Sequence, residues 1–154
     1  MADNYIALSI DLPTSLDTAW NSILDWPSQS RWMLLTRVWI TKHSPTIVGT
    51  HIAAFTGIAP ALWKREKAFG VLDLMEVTLS EKSETTARCN VLHYGKVIRG
   101  IGSFELTSID DLKTRFDWSE TIEAPRALFI LMKPFIALGV FISLSRFAKG
   151  LRTL

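Results

Sequence analysis

The sequence predicts an α+β fold: a curved, seven-stranded antiparallel sheet around a long C-terminal helix, with two short helices between strands 1 and 2. Three observations carry this. Between Arg37 and Glu123 the chain is a succession of short runs rich in β-branched and aromatic residues, parted by turn formers. Past Pro125 it becomes one apolar stretch of helical length, RALFILMKPFIALGVFISLSRFAKGL. The connections in the strand region are short, which antiparallel neighbours allow and parallel crossovers do not. At 154 residues, the whole of 1–154 fits a single domain with a real core.

The elements follow in order. Tyr5 to Leu12 is an apolar run stopped by Pro13, the first strand. Leu16, Ala19, Trp20, Ile23 and Leu24 then recur at helical spacing, with Thr14 as the expected N-cap and Asp17 three residues on. Pro27 ends that helix, and Ser28–Met33 suits one further short turn. Strands are expected at Arg37–His43, Ile47–Thr56, Phe69–Leu79, Thr86–His93, Val97–Ser108 and Thr114–Glu123. The final helix spans about 127–150, apolar nearly all round from Leu128 to Ile142 apart from Lys133. Beyond that, Arg146 and Lys149 gather opposite Leu144, Phe147, Ala148 and Leu151. A membrane span needs about 20 apolar residues. Lys133–Pro134 interrupts the run and leaves eleven uncharged residues, 135–145, before Arg146. Burial on both sides by the chain's own domain is therefore the expectation.

Charge and composition narrow the function classes. A net charge of +2, from 17 basic and 15 acidic groups, is no electrostatic footprint for nucleic acid. The single Cys89 has no internal disulfide partner, and MADNYIALSIDLP has no basic n-region before a long apolar run, so a cytoplasmic setting is expected. His43, His51 and His93 lie on three strands without paired-ligand spacing, so no metal is expected. The string GIGSFE lacks the third glycine and opens a strand, which removes a dinucleotide fingerprint. No cofactor is expected.

Alternation assigns the faces. Phe116, Trp118, Glu120 and Ile122 should face inward on the last strand, and Val71, Asp73, Met75, Val77 and Leu79 on the strand from Phe69. Cys89, Val91 and His93 share a face, as do Ile98, Gly100, Gly102, Phe104 and Leu106. In meander order, Asp73, His93, the glycine pair and Glu120 fall in one band, with Met75, Phe104 and Trp118 as its apolar company. A mostly oily wall with a few converging polar groups is how ligand pockets are built. Each residue also has a bland reading: His93 as a satisfied core residue, the glycines as curvature devices or as room for a close approach. Two strands separate Asp73 from Glu120, so His93 is expected to reach only one of them. Such a pair could act as an acid or base. Cys89, buried and without a basic partner, should be inert.

IDLPTSLDTAWNSILDWPSQSRWM, with Trp20 on the first helix and Asp25–Trp26 closing it, resembles the entry motif of the START-like superfamily, also labelled polyketide cyclase/dehydrase. GTHIAAFTG, DLMEV, LHYGKVIRGIGSFEL and RFDWSE are similar to an uncharacterised, actinobacterial-type branch, and the resemblance covers essentially the whole chain. It implies the helix-grip fold and an apolar cavity between the sheet and the last helix. Cyclases, aromatases, lipid carriers and receptors share that scaffold, so chemistry is not implied with it. The expected ligand is a hydrophobic small molecule, lipid or polyketide-like, taken by a monomer or homodimer. The alternative is a cyclase or dehydratase using His93 and Glu120. The loop Ile58–Lys67 stands outside these motifs. Its Trp63, flanked by Lys64, Arg65 and Lys67, suits brief contact with an anionic membrane surface, against the alternative of a solvated turn.

Overall fold

The computed structural model describes residues 4–58 and 69–152. The strands are β1 (Asn4–Leu12), β2 (Thr36–Lys42), β3 (His51–Ile58), β4 (Phe69–Lys82), β5 (Thr86–Tyr94), β6 (Arg99–Asp110) and β7 (Lys113–Ile122). Helix α1 (Leu16–Leu24) and a 3-10 helix (Trp26–Arg31) lie between β1 and β2, and α2 (Arg126–Leu151) ends the chain. All neighbours are antiparallel in one seven-stranded sheet, ordered β1-β7-β6-β5-β4-β3-β2.

That order explains where the short helices go. β1 and β2 are opposite edges of the sheet, so the chain between them must cross it. It does so as α1 and the 3-10 helix, burying Leu16, Ala19, Trp20, Ile23 and Trp26. The N-cap of α1 is Ser15, not Thr14: its hydroxyl accepts from Thr18 N–H at 3.3 Å. The expected strand from Ile47 begins later, at His51. Ile47 sits at φ +61°, a left-handed turn conformation that no strand tolerates. A bulge between Val77 and Leu79 also reverses the expectation for Leu79, which pairs with Asn90 and leaves the inward face.

One end of the space between sheet and α2 is closed by packing. Leu12, Leu106 and Phe116 from the sheet meet Leu144, Phe147, Ala148 and Leu151 from the helix, all buried. Phe147 lies 4.8 Å from the Trp32 ring centroid and 6.4 Å from Phe116, which in turn stands edge-on to Phe104 at 5.9 Å. Each such buried aromatic contributes roughly 1.5–3 kcal/mol. Polar contacts fix the same third of the helix. Leu34 N–H donates to Ser143 Oγ at 2.9 Å, Ser143 Oγ donates to Gly139 O at 2.7 Å, and Arg146 Nη2 donates to Arg31 O at 3.0 Å.

The first two thirds of α2 differ from the expectation of burial on both sides. Phe129 is buried and Ile136, Ala137, Val140 and Ile142 are half-buried, yet Leu131 is 65% and Phe135 66% exposed. The helix has one sheet to lie on and nothing among the described residues covers its other side. Its buried row nonetheless joins it to the domain core.

Candidate functional site

Period-two alternation puts Ala87, Cys89, Val91 and His93 of β5 inward, and each is buried. Next to them, β4 contributes Asp73 and Met75, 8% and 9% exposed. His93 Nδ1–H donates to Asp73 Oδ2 at 2.8 Å. On the other side of the ring, Nε2 lies 3.6 Å from Glu120 Oε1 of β7, ion-pair range but too long for a hydrogen bond.

His93 therefore reaches both carboxylates, against the expectation that it would reach one. Gly102 is the reason. It lies on β6, between the strands of His93 and Glu120, and is the register partner of Glu120 and of Val91. The imidazole leans over Gly102: a Cβ added there would stand 2.9 Å from His93 Nε2 and 3.0 Å from Val91 Cγ2. With no side chain on β6 at this point, the histidine spans a strand that would otherwise screen it from Glu120. Gly100 has a separate role. Its φ is +142° and a Cβ would collide with the Thr121 carbonyl oxygen, so β6 takes a bend there that only glycine adopts.

The electrostatics follow from burial. For His93, burial opposes the imidazolium, but the hydrogen bond to Asp73 and the fields of Glu120 and Asp73 outweigh it and raise the pKa. For Glu120, burial raises the pKa more than the attraction of His93 lowers it, and Asp73 adds a smaller push upward. Burial pushes the Cys89 thiol up to about 12, which keeps it protonated and inert.

The chemistry open to this cluster is that of its unused valences. Both imidazole nitrogens face carboxylates. No group of His, Cys, Asp and Glu among the described residues is arranged to hold one. Asp73 Oδ1 is buried without a hydrogen-bond partner, and so is Trp32 Nε1 in the stack on Phe147. The remaining capacity at the cluster is to accept hydrogen bonds or to move a proton along Asp73–His93–Glu120.

All eight residues singled out in the sequence share the inward side. Asp73, His93 and Glu120 converge; Gly102 makes room for them and Gly100 bends their strand. Met75 is the register partner of His93, and Phe104 that of Trp118. Phe104 also packs on Trp26 at 6.1 Å, so it belongs to the core as much as to the site. Sequence reasoning missed Ile6, which lies opposite Glu120. Its alternation was readable, but nothing local says that β1 pairs with β7. The loop bearing Trp63, Lys64, Arg65 and Lys67 lies outside the described residues.

Residues on both the sheet and α2 remain half-buried: Leu8, Phe104 and Trp118 on the first, Ile136, Ala137 and Val140 on the second. Two hollows elsewhere involve none of the three ionisable residues. One of 360 Å³ lies along Lys82, Arg88 and Glu105, the other of 350 Å³ between Asp11, Asp110 and Arg152.

No protein-family model and no curated protein matches the sequence. Solved structures do match. A START superfamily protein from Mycobacterium smegmatis superposes with a TM-score of 0.73 at 9% identity, over 96% of this chain and 98% of that one. This is the START helix-grip fold. The Zhui aromatase/cyclase from Streptomyces sp. R1128 shares it, with a TM-score of 0.65, 8% identity and coverage of 96% and 93%. So does a protein from Thermobifida fusca, with a TM-score of 0.69, 14% identity and the same coverage. At these identities the START likeness is one of fold.

Proposed function

We propose that this protein binds a hydrophobic small molecule, a lipid or polyketide-like compound, between the concave face of the sheet and α2, and carries or sequesters it. One observation carries the reading. Three ionisable side chains, Asp73, His93 and Glu120, are buried together on a largely apolar inward face of the sheet, on which Phe104 and Trp118 stay half-buried. Burying such groups is costly. Structure alone does not repay that cost, since apolar residues of similar volume would stabilise the fold as well. Met75, Phe104 and Trp118 suit the apolar body of a ligand and the cluster its polar end. Native mass spectrometry after gentle purification tests this. Co-purified apolar adducts are expected; a bare chain that also takes up no apolar dye would overturn the reading.

A second reading is acid–base catalysis of a cyclisation or dehydration by His93 and Glu120. What favours it is a histidine held between two carboxylates, in a fold shared with an aromatase/cyclase. Were an activity found, a rate unchanged by His93→Ala would remove it.

A further inference from the structure

We propose that the ligand's polar end is a hydrogen-bond donor, an amine or a hydroxyl, and that an amphiphile ending in a carboxylate is refused; this rests on the binding reading above. Both nitrogens of the His93 imidazole face carboxylates. Nδ1 donates to Asp73 Oδ2 at 2.8 Å and Nε2 faces Glu120 Oε1 at 3.6 Å. Nδ1 is taken, and Nε2, though not hydrogen-bonded, is turned toward the Glu120 carboxylate. What stays open is acceptor capacity. Asp73 is 8% exposed, and its Oδ1 is buried with no hydrogen-bond partner. An orphaned carboxylate oxygen in an apolar wall is costly unless a donor reaches it. Glu120 makes no hydrogen bond among the described residues and keeps 13% of its side chain exposed, which leaves its carboxylate a route to whatever lies beside it.

Charge points the same way. The inward residues around the cluster on β1, β5, β6 and β7 include no lysine or arginine, and the charged groups acting on Glu120 are His93 and Asp73. Lys133, the cation in the apolar part of α2, is exposed and lies 5.7 Å over the Phe129 ring. An incoming carboxylate would thus meet two carboxylates and one imidazole already placed between them. An ammonium or hydroxyl would meet an acceptor that lacks a partner. The other buried polar orphan, Trp32 Nε1, is a donor, but it belongs to the stack on Phe147 at the closed end of the space.

Three amphiphiles with one twelve-carbon chain separate the possibilities: dodecylamine, 1-dodecanol and dodecanoate. Each is titrated at pH 8, below its micellar concentration, and followed by tryptophan fluorescence. Dodecylamine and dodecanol are expected to bind at least about tenfold more tightly than dodecanoate, the size of one hydrogen bond to a charged group. Asp73→Asn and, independently, Glu120→Gln should narrow that gap while leaving the binding of the alkyl chain in place. Equal affinities for all three, a preference for dodecanoate, or a gap unmoved in both variants would overturn the inference and leave the binding reading standing. If none of the three binds, the binding reading falls and takes this inference with it.

Discussion

Glu120 is the least well compensated member of the buried cluster, and Glu120→Gln should stabilise the protein at pH 8 while changing little at pH 4. The carboxylate is 13% exposed, and His93 Nε2, the one cation acting on it among the described residues, stands 3.6 Å away. That pairing lacks the hydrogen bond that offsets desolvation in a good buried ion pair. Burial, seconded by Asp73, therefore raises the pKa of Glu120 despite His93. A carboxyl with a raised folded pKa favours the folded state below its unfolded value of about 4.3, and this advantage is lost as pH rises through the folded value. His93, also raised, acts in the same direction: its contribution is full below about 6.5 and is lost as pH rises through its folded value. Gln keeps the shape of Glu120 and discards the charge. Replacing a whole buried ion pair with well-packed apolar residues of similar volume is neutral or gains about 1–4 kcal/mol. With His93 kept as a partial partner, the low end, about 1 kcal/mol at pH 8, is expected. His93→Ala should do the opposite, leaving two buried carboxylates without their cation and costing about 3–5 kcal/mol at pH 6. Urea titrations of wild type and both variants at pH 4, 6 and 8 decide it. A Glu120→Gln variant less stable than wild type at pH 8 would show the Glu120–His93 pair to be net stabilising, and the desolvation reasoning would fail.

Three further outcomes are expected. Gly102→Ala should cost about 1–3 kcal/mol, because His93 is held by two carboxylates and cannot step aside. In a His93→Ala background that cost should shrink, and strict additivity in the urea-measured double-mutant cycle would refute the packing argument. Cys89, with its thiol pushed up to about 12, should resist a thiol reagent at pH 8 in the folded protein and react fully in urea. Rapid native labelling would count against the buried placement. Ser143→Ala removes the acceptor of Leu34 N–H and should cost about 1–3 kcal/mol by thermal or urea unfolding; an unchanged midpoint would mean that water takes over the contact.

Much of this architecture is legible in the sequence because it is periodic. Alternation on β5, β6 and β7 placed His93, Phe104, Trp118 and Glu120 on one face, and the meander order made them neighbours. Where the reading failed, the cause was non-local or a break in the period. The Val77–Leu79 bulge turned Leu79 outward, and a left-handed residue at Ile47 delayed β3. The pairing of β1 with β7 closes a loop of about a hundred residues, and no local pattern announces it. The exposed side of α2 was misread because apolar composition is silent on whether a second layer exists to cover it. His93 bridging two carboxylates is not legible because Gly102 reads as a bend or as room for a close approach, and nothing local says that the histidine ring is what approaches. The missing side chain mattered through what it let pass.

Gly102 also sets an order on how this site could be lost or acquired in evolution. While His93 occupies the gap, nearly every substitution at 102 costs stability, because the new side chain would strike a ring that two carboxylates hold in place. Once position 93 becomes small, 102 is released to drift. A lineage that has filled 102 must in turn empty it before a histidine at 93 can again reach Glu120. The two positions form a ratchet: decay starts at 93, and recovery must start at 102.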